Sequence, residues 1–180
     1  MSCLIIAACL MTLLERSANI TDLDFIQGCI LFGARKGHYS FDPENTVLVQ
    51  WMKKEIRSVV TSRMLLDGRQ ASASVFLIGN KRIATMILSQ AAPGSHSLEI
   101  YALSVIRQFQ NKGHGSWIIN NLLEHYPDVE IFARCTSSSV KMCNLLLSKG
   151  FRFNCMDNDF RVLSKEPVYR FSRVAPVYSA

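Results

Sequence analysis

Residues 72–105 read as three strand-like runs in succession, and this stretch constrains the fold more than any other. Residues 72–78 and 82–90 are separated only by Gly79-Asn80-Lys81, a hairpin signal. Pro93-Gly94-Ser95 turns the chain, and residues 98–105 form the third run. The hydrophobic period then changes. Past Gly113-His114-Gly115, residues 116–126 place Ile118, Ile119, Leu122 and Leu123 at helical spacing. A hairpin-rich sheet that feeds directly into an amphipathic helix predicts an α/β domain.

The flanking segments extend this pattern. Residues 12–16 (TLLER) read as a short first strand. A helix is expected from Ile20 to about Leu31, capped by Thr21, with Asp22 and Asp24 in its first turn and Ile20 stapled on Phe25. Residues 33–42 (GARKGHYSFD) are a loop, and Pro43 opens a second helix with Leu48, Trp51, Met52, Ile56 and Val59 on one face. Asp67-Gly68 marks the break before the hairpin. After the third helix come a strand at 129–134, a helix at 138–149 closed by Gly150, and a strand at 151–155. Asp157-Asn158-Asp159 then turns the chain toward a last strand near 160–163. The order is β-α-α-β-β-β-α-β-α-β-β: one domain, residues 11–165, with a mixed central sheet flanked by helices and a tail at 166–180.

Residues 1–10 are read as an apolar leader or an alternative-start extension, with Met11 as a second initiator. That run is too short to span a bilayer, so a cytoplasmic protein without membrane attachment is expected. The six cysteines (3, 9, 29, 135, 143, 155) share no CxxC spacing, and the four histidines form no paired-ligand pattern. No metal site is expected. Net charge is +6, but basic residues are scattered and never more than two in a row, which argues against a nucleic-acid arm. The excess suits a single anionic ligand, such as a phosphorylated cofactor.

The 107–117 stretch, RQFQNKGHGSW, is where such a ligand would sit. A helix N-terminus presents unsatisfied N–H groups and the positive end of the dipole, and glycines let backbone approach an anion. Lys112 adds charge. A tight turn with no ligand explains two glycines equally well, and a dinucleotide loop fits poorly, for want of a third spaced glycine.

Gln110-Asn111-Lys112-Gly113-His114-Gly115 resembles the Gln/Arg-x-x-Gly-x-Gly/Ala signature of the GCN5-related N-acetyltransferases, with Val105 at the spacing of the family's strand-end valine. The element order agrees, and Gly150-Phe151 is similar to the family's helix-end pair. The resemblance implies binding of acetyl-CoA as co-substrate. The N–H groups of Asn111, Lys112, Gly113, His114, Gly115 and Ser116, with Gln110, would hold its pyrophosphate, and Val105 would pair with the pantetheine. The Leu103 N–H would polarise the thioester carbonyl. Counting back from Gly150, Ser139 falls at the family's asparagine, Met142 at its alanine and Leu146 at the tyrosine that often protonates the departing thiolate. Tyr101, Cys143 or solvent are then the candidate acids.

Glu99 is the expected base. It lies fourteen residues before Gly113, where the histone-acetyltransferase branch carries its glutamate, and four before Leu103, which period two puts on the same face. Apolar neighbours would raise its pKa. The expected reaction is direct transfer of acetyl to a primary amine, a protein lysine or a small amine. The alternatives are a catalytically weak or silent acyl-CoA-binding module and a basic protein that binds nucleic acid. His114 contributes its backbone, Trp51 and Met52 read as core, and Tyr39 and Phe41 either line an acceptor groove or belong to a solvated loop. Monomer and homodimer both stay open.

Overall fold

The computed structural model describes residues 12–156 and 167–174, with the side chains of 155 and 156 not described. Residues 1–10 and the strand expected near 160–163 lie outside this range. Strand β1 (Leu13–Ser17) leads to a short 3-10 turn (Ile20–Asp22) and helix α1 (Leu23–Ala34). The cap here is Asn19 and not Thr21: its Oδ1 accepts the Thr21 N–H (2.9 Å), while Asp22 accepts the Asn19 N–H (2.9 Å). Asp22 is fully buried, and Arg16 (2.7 Å) and Arg82 (3.3 Å) neutralise it. Helix α2 (Thr46–Ser62) starts three residues after Pro43, because the Asn45 side chain accepts the N–H groups of Val47 and Leu48.

The hairpin is as expected: β2 (Ala71–Ile78) and β3 (Lys81–Gln90) turn at Gly79-Asn80, and β4 (Leu98–Val105) returns antiparallel to β3. Helix α3 (His114–His125), β5 (Ile131–Thr136), α4 (Val140–Ser148), β6 (Arg152–Met156) and β7 (Val168–Arg173) follow. Gly115 therefore lies inside α3, and Gly113 caps it at φ +84°. Gly150 closes α4 at φ +82°. The sheet order is β1-β2-β3-β4-β5-β7-β6, with β4–β5 the one parallel pair among the described strands. Strand β7 comes from the segment expected to be a tail, yet it lies inside the sheet, paired with β5 on one side and β6 on the other.

Helices cover both faces. Ile26, Ile30, Met52, Ile56 and Val59 of α1 and α2 pack on Val75, Ile87 and Ala102. Ile118, Ile119 and Leu122 of α3 and Leu146 of α4 pack on Phe76, Met86, Ile100 and Ala133. Each such fully buried large apolar side chain contributes about 1.5–3 kcal/mol. Trp51 departs from its expected core role: it is 50% exposed. No described helix is long and apolar enough to cross a membrane.

Candidate active site

Strands β4 and β5 pair over only three positions, Leu98 to Ile100 against Ile131 to Ala133. Beyond them the two strands part, and a cavity of about 890 Å³ opens between them, a volume suited to a small-molecule site. The β3–β4 register slips between Ile87 and Leu88, which face Ala102 and Ile100, so Tyr101 is an extra residue without a partner in β3.

That bulge decides which groups face the cavity. The Ile106 N–H donates to the Ile83 carbonyl (2.9 Å). Residues alternate along an antiparallel ladder, so Ser104 and Ala102 also face β3, while Leu103 and Val105 turn their N–H and C=O toward the gap. The Gln110 amide confirms the direction at Val105, donating from Nε2 to its carbonyl (2.8 Å) and tying the strand end to the glycine loop. The backbone groups of Leu103 and Val105 thus point into the gap. The bulge also shifts the side-chain alternation. Leu103 packs with Ile100 on the α3/α4 side, whereas Glu99 lies with Tyr101 and Arg134 on the α1/α2 side. Glu99 and Leu103 therefore do not share a face.

The glycine loop closes one end of the gap. Asn111 (φ +60°) and Gly113 (φ +84°) both adopt left-handed backbone on either side of Lys112. Among the described residues no side chain caps α3, so its first-turn N–H groups, those of His114, Gly115 and Ser116 included, meet the cavity unsatisfied by the helix. A Cβ on Gly113 would meet no atom within 4 Å, so that glycine is required by its angle, and the space beside it is open to a ligand. Gly115 is closely packed: a Cβ there would stand 3.3 Å from Leu145 Cδ2, which would have to give by a few tenths of an ångström. This cradle fits a pyrophosphate: two left-handed residues, a helix dipole, and ammonium groups close by. Lys112 and Lys81 lie over the Phe109 ring at 5.3 and 5.2 Å from its centroid, and Lys141 donates to Asn111 Oδ1 (3.3 Å). The His114 ring packs on Phe109 (5.9 Å). Lys141 was not singled out from sequence, because only the fold brings α4 to the loop.

Ser139, expected at the cofactor, lines the cavity but is also a tether. Its Oγ lies 3.0 Å from Thr136 Oγ1 and 3.5 Å from His38 Nδ1, while Thr136 Oγ1 donates to the Gly37 carbonyl. These bonds fasten the α1–α2 loop to β5. Leu146 is fully buried in the core and Cys143 lies against Cys135, so of the candidate acids on the protein only Tyr101 lines the cavity.

The far end of the cavity is ionic. Glu99, 3% exposed, is held on one oxygen by Arg69 (2.6 Å) and on the other by Arg134. Its surroundings are two guanidinium groups, not the apolar shell expected. Arg69 also pairs with Asp67 (2.8 Å) and stacks over the Tyr101 ring (5.7 Å). Glu55, which sequence reasoning passed over, is 3% exposed, accepts the Leu66 N–H (2.6 Å) and receives the Tyr101 hydroxyl (3.3 Å). Burial pushes its carboxyl above the usual range, with Asp67 adding to the effect, against the Leu66 N–H, Tyr101 and Arg69. Burial, and then the Glu55 and Glu99 charges, raise the Tyr101 hydroxyl further above an ordinary phenol. A signal for Glu55 was present: a carboxylate inside the apolar stripe formed by Met52, Ile56 and Val59.

Residues 39–151, more than half of the chain, match the model of the acetyltransferase (GNAT) family. The fold is similar to that of spermidine N-acetyltransferase from Vibrio cholerae, solved with CoA and spermine (TM-score 0.67, 15% identity, covering 89% of this chain and 94% of that one). It is also similar to the ribosomal-protein-S18-alanine N-acetyltransferase of Escherichia coli (TM-score 0.63, 16% identity, 94% and 96% covered). A third similar structure is the Salmonella typhimurium acetyl transferase that modifies the N-terminal serine of ribosomal protein L7/L12 (TM-score 0.67, 13% identity, 92% and 96% covered). At these identities the likeness is one of fold. No curated protein matches the sequence.

Proposed function

The chain belongs to the acetyltransferase (GNAT) family, and from that membership we propose that it moves an acetyl group from acetyl-CoA to a primary amine by direct attack. The observation that carries this reading is the parting of β4 and β5 above an uncapped α3 N-terminus. Backbone N–H groups from Asn111 to Ser116, with Lys141 beside them, hold the pyrophosphate. The Val105 N–H pairs with the pantetheine, Ser139 lies along its path, and the Leu103 N–H meets the oxygen on which negative charge develops.

Glu55 is the better base. Its carboxyl forms no ion pair among the described residues and its affinity for a proton is raised by burial, whereas both oxygens of Glu99 are held by arginine. Acetyl-CoA supplies the acetyl as a thioester: the C–N bond forms as the C–S bond breaks, one ammonium proton passes to Glu55 and a second to the departing thiolate. Tyr101, kept protonated and lining the same cavity, is placed to relay that second proton.

The test is release of free thiol from acetyl-CoA across a panel of amines. Acceptor-dependent release supports the reading. Saturable acetyl-CoA binding without it would instead favour a silent CoA-binding module, the reading that the burial of Leu146 supports.

A further inference from the structure

We propose that the acceptor is a monoamine on an aromatic body, an arylalkylamine whose ammonium rests on Glu55 and whose ring lies against Trp51 and Phe41. This rests on the acetyl-transfer reading above. The first argument is charge. Of the carboxylates lining the cavity, Glu99 is paired with Arg69 and Arg134, and Asp67 with Arg69. Glu55 forms no ion pair among the described residues and is held only by an amide N–H and a phenol. A buried carboxylate is unfavourable without a cation, and the ammonium of an acceptor supplies one.

The second argument limits the number of charges. Glu55 is the one lining carboxylate without an ion pair among the described residues, so a second ammonium, as on a polyamine or a basic peptide, would find Glu99 and Asp67 already held by arginine. The third concerns the acceptor's body. Trp51 lies one helical turn before Glu55, lines the cavity and is 50% exposed. Phe41 faces the same cavity beside Tyr39, their ring centroids 6.4 Å apart. Aromatic surface next to a lone carboxylate matches a ring joined to an ammonium by a short chain.

The experiment is calorimetric titration of the protein saturated with CoA, using 2-phenylethylamine, hexylamine, spermidine and a short peptide with a free α-amine. The expected result is that 2-phenylethylamine binds at least tenfold more tightly than the other three. Glu55→Gln, which keeps an acceptor for the Leu66 N–H, should weaken that binding at least tenfold with CoA affinity unchanged. Trp51→Ala, at an exposed position, should weaken it several-fold without lowering Tm. Tighter binding of spermidine or the peptide overturns the proposal, and so does unchanged 2-phenylethylamine affinity in both variants. Selective binding without thiol release from acetyl-CoA would leave the acceptor assignment standing and remove the catalytic reading.

Discussion

Gly33→Ala tests the junction between α1 and the loop that borders the acceptor end. In an ordinary helix interior this change stabilises by about 1 kcal/mol, because alanine loses less backbone entropy. At this position the added Cβ would stand 2.5 Å from Tyr39 Cε2 and 2.9 Å from Cδ2. Carbon contacts are comfortable near 3.5–4 Å, so the ring must withdraw by roughly 1 Å. It cannot do so alone, since the loop is bonded to β5 through His38 and Gly37. Overpacking of this kind costs about 1–3 kcal/mol. The expected net effect is a loss of roughly 1 kcal/mol, or about 2–4 °C in Tm for a chain of this length. In a Tyr39→Ala background the obstacle is gone, and the same substitution should stabilise by about 1 kcal/mol. Urea unfolding of the four proteins of this cycle gives a coupling of roughly 2 kcal/mol if the packing is as described. Stabilisation by Gly33→Ala with Tyr39 intact would refute it.

Gly113→Glu should abolish acetyl-CoA binding by calorimetry, since it places bulk and negative charge in the cradle, and the non-glycine residue at φ +84° adds about 1–2 kcal/mol of strain; retained affinity would refute the loop assignment. Glu99→Gln should lower stability by roughly 3 kcal/mol, read by chemical unfolding, because it leaves Arg134 and one side of Arg69 uncompensated. Acetyl-CoA affinity should survive that change, and unaltered stability would mean the clamp is idle. Asp22 is held below the usual carboxylate range chiefly by its hydrogen bond to Arg16, opposed by burial. Its contribution is therefore present above the unfolded pKa and lost as pH falls through the lower folded one, in a window below about pH 4. Asp22→Asn should flatten the stability–pH curve in that window and cost roughly 1–3 kcal/mol at pH 7, less than a fully buried pair because both arginines are about two-fifths exposed.

Local signals carried most of the fold. Strand β4 and the β2–β3 hairpin were legible because apolar runs and the turn residues between them are properties of short segments. The glycine loop was legible for the same reason, although α3 starts at His114 with Gly113 as its cap and not after Gly115 as expected. What escaped depends on neighbours far along the chain. The bulge at Tyr101 exists because β3 skips that residue, and the sequence of β4 alone does not record it. A strict period of two therefore put Glu99 on the wrong face. The arginine clamp needs Arg69 and Arg134 brought to Glu99 from 30 and 35 residues away. Trp51 sits at a core spacing on α2, yet this part of the helix lines a cavity, and periodicity cannot tell a cavity wall from a packed interface.

The position of β7 bears on how the chain reaches its native state. Strand β5 has β4 beside it over half its length and β7 along its other edge, while β6 has β7 as its described partner. Until residues 168–173 arrive, a nascent or refolding chain carries β5 with an open hydrogen-bonding edge and β6 with nothing to pair against. Strand β7 thus has to pair along both of its edges, with β5 on one and β6 on the other, before the sheet is complete. Such a step has high contact order and is slow relative to the hairpin. In that interval the β5 edge is open to strands of other molecules, so refolding yield should fall as protein concentration rises.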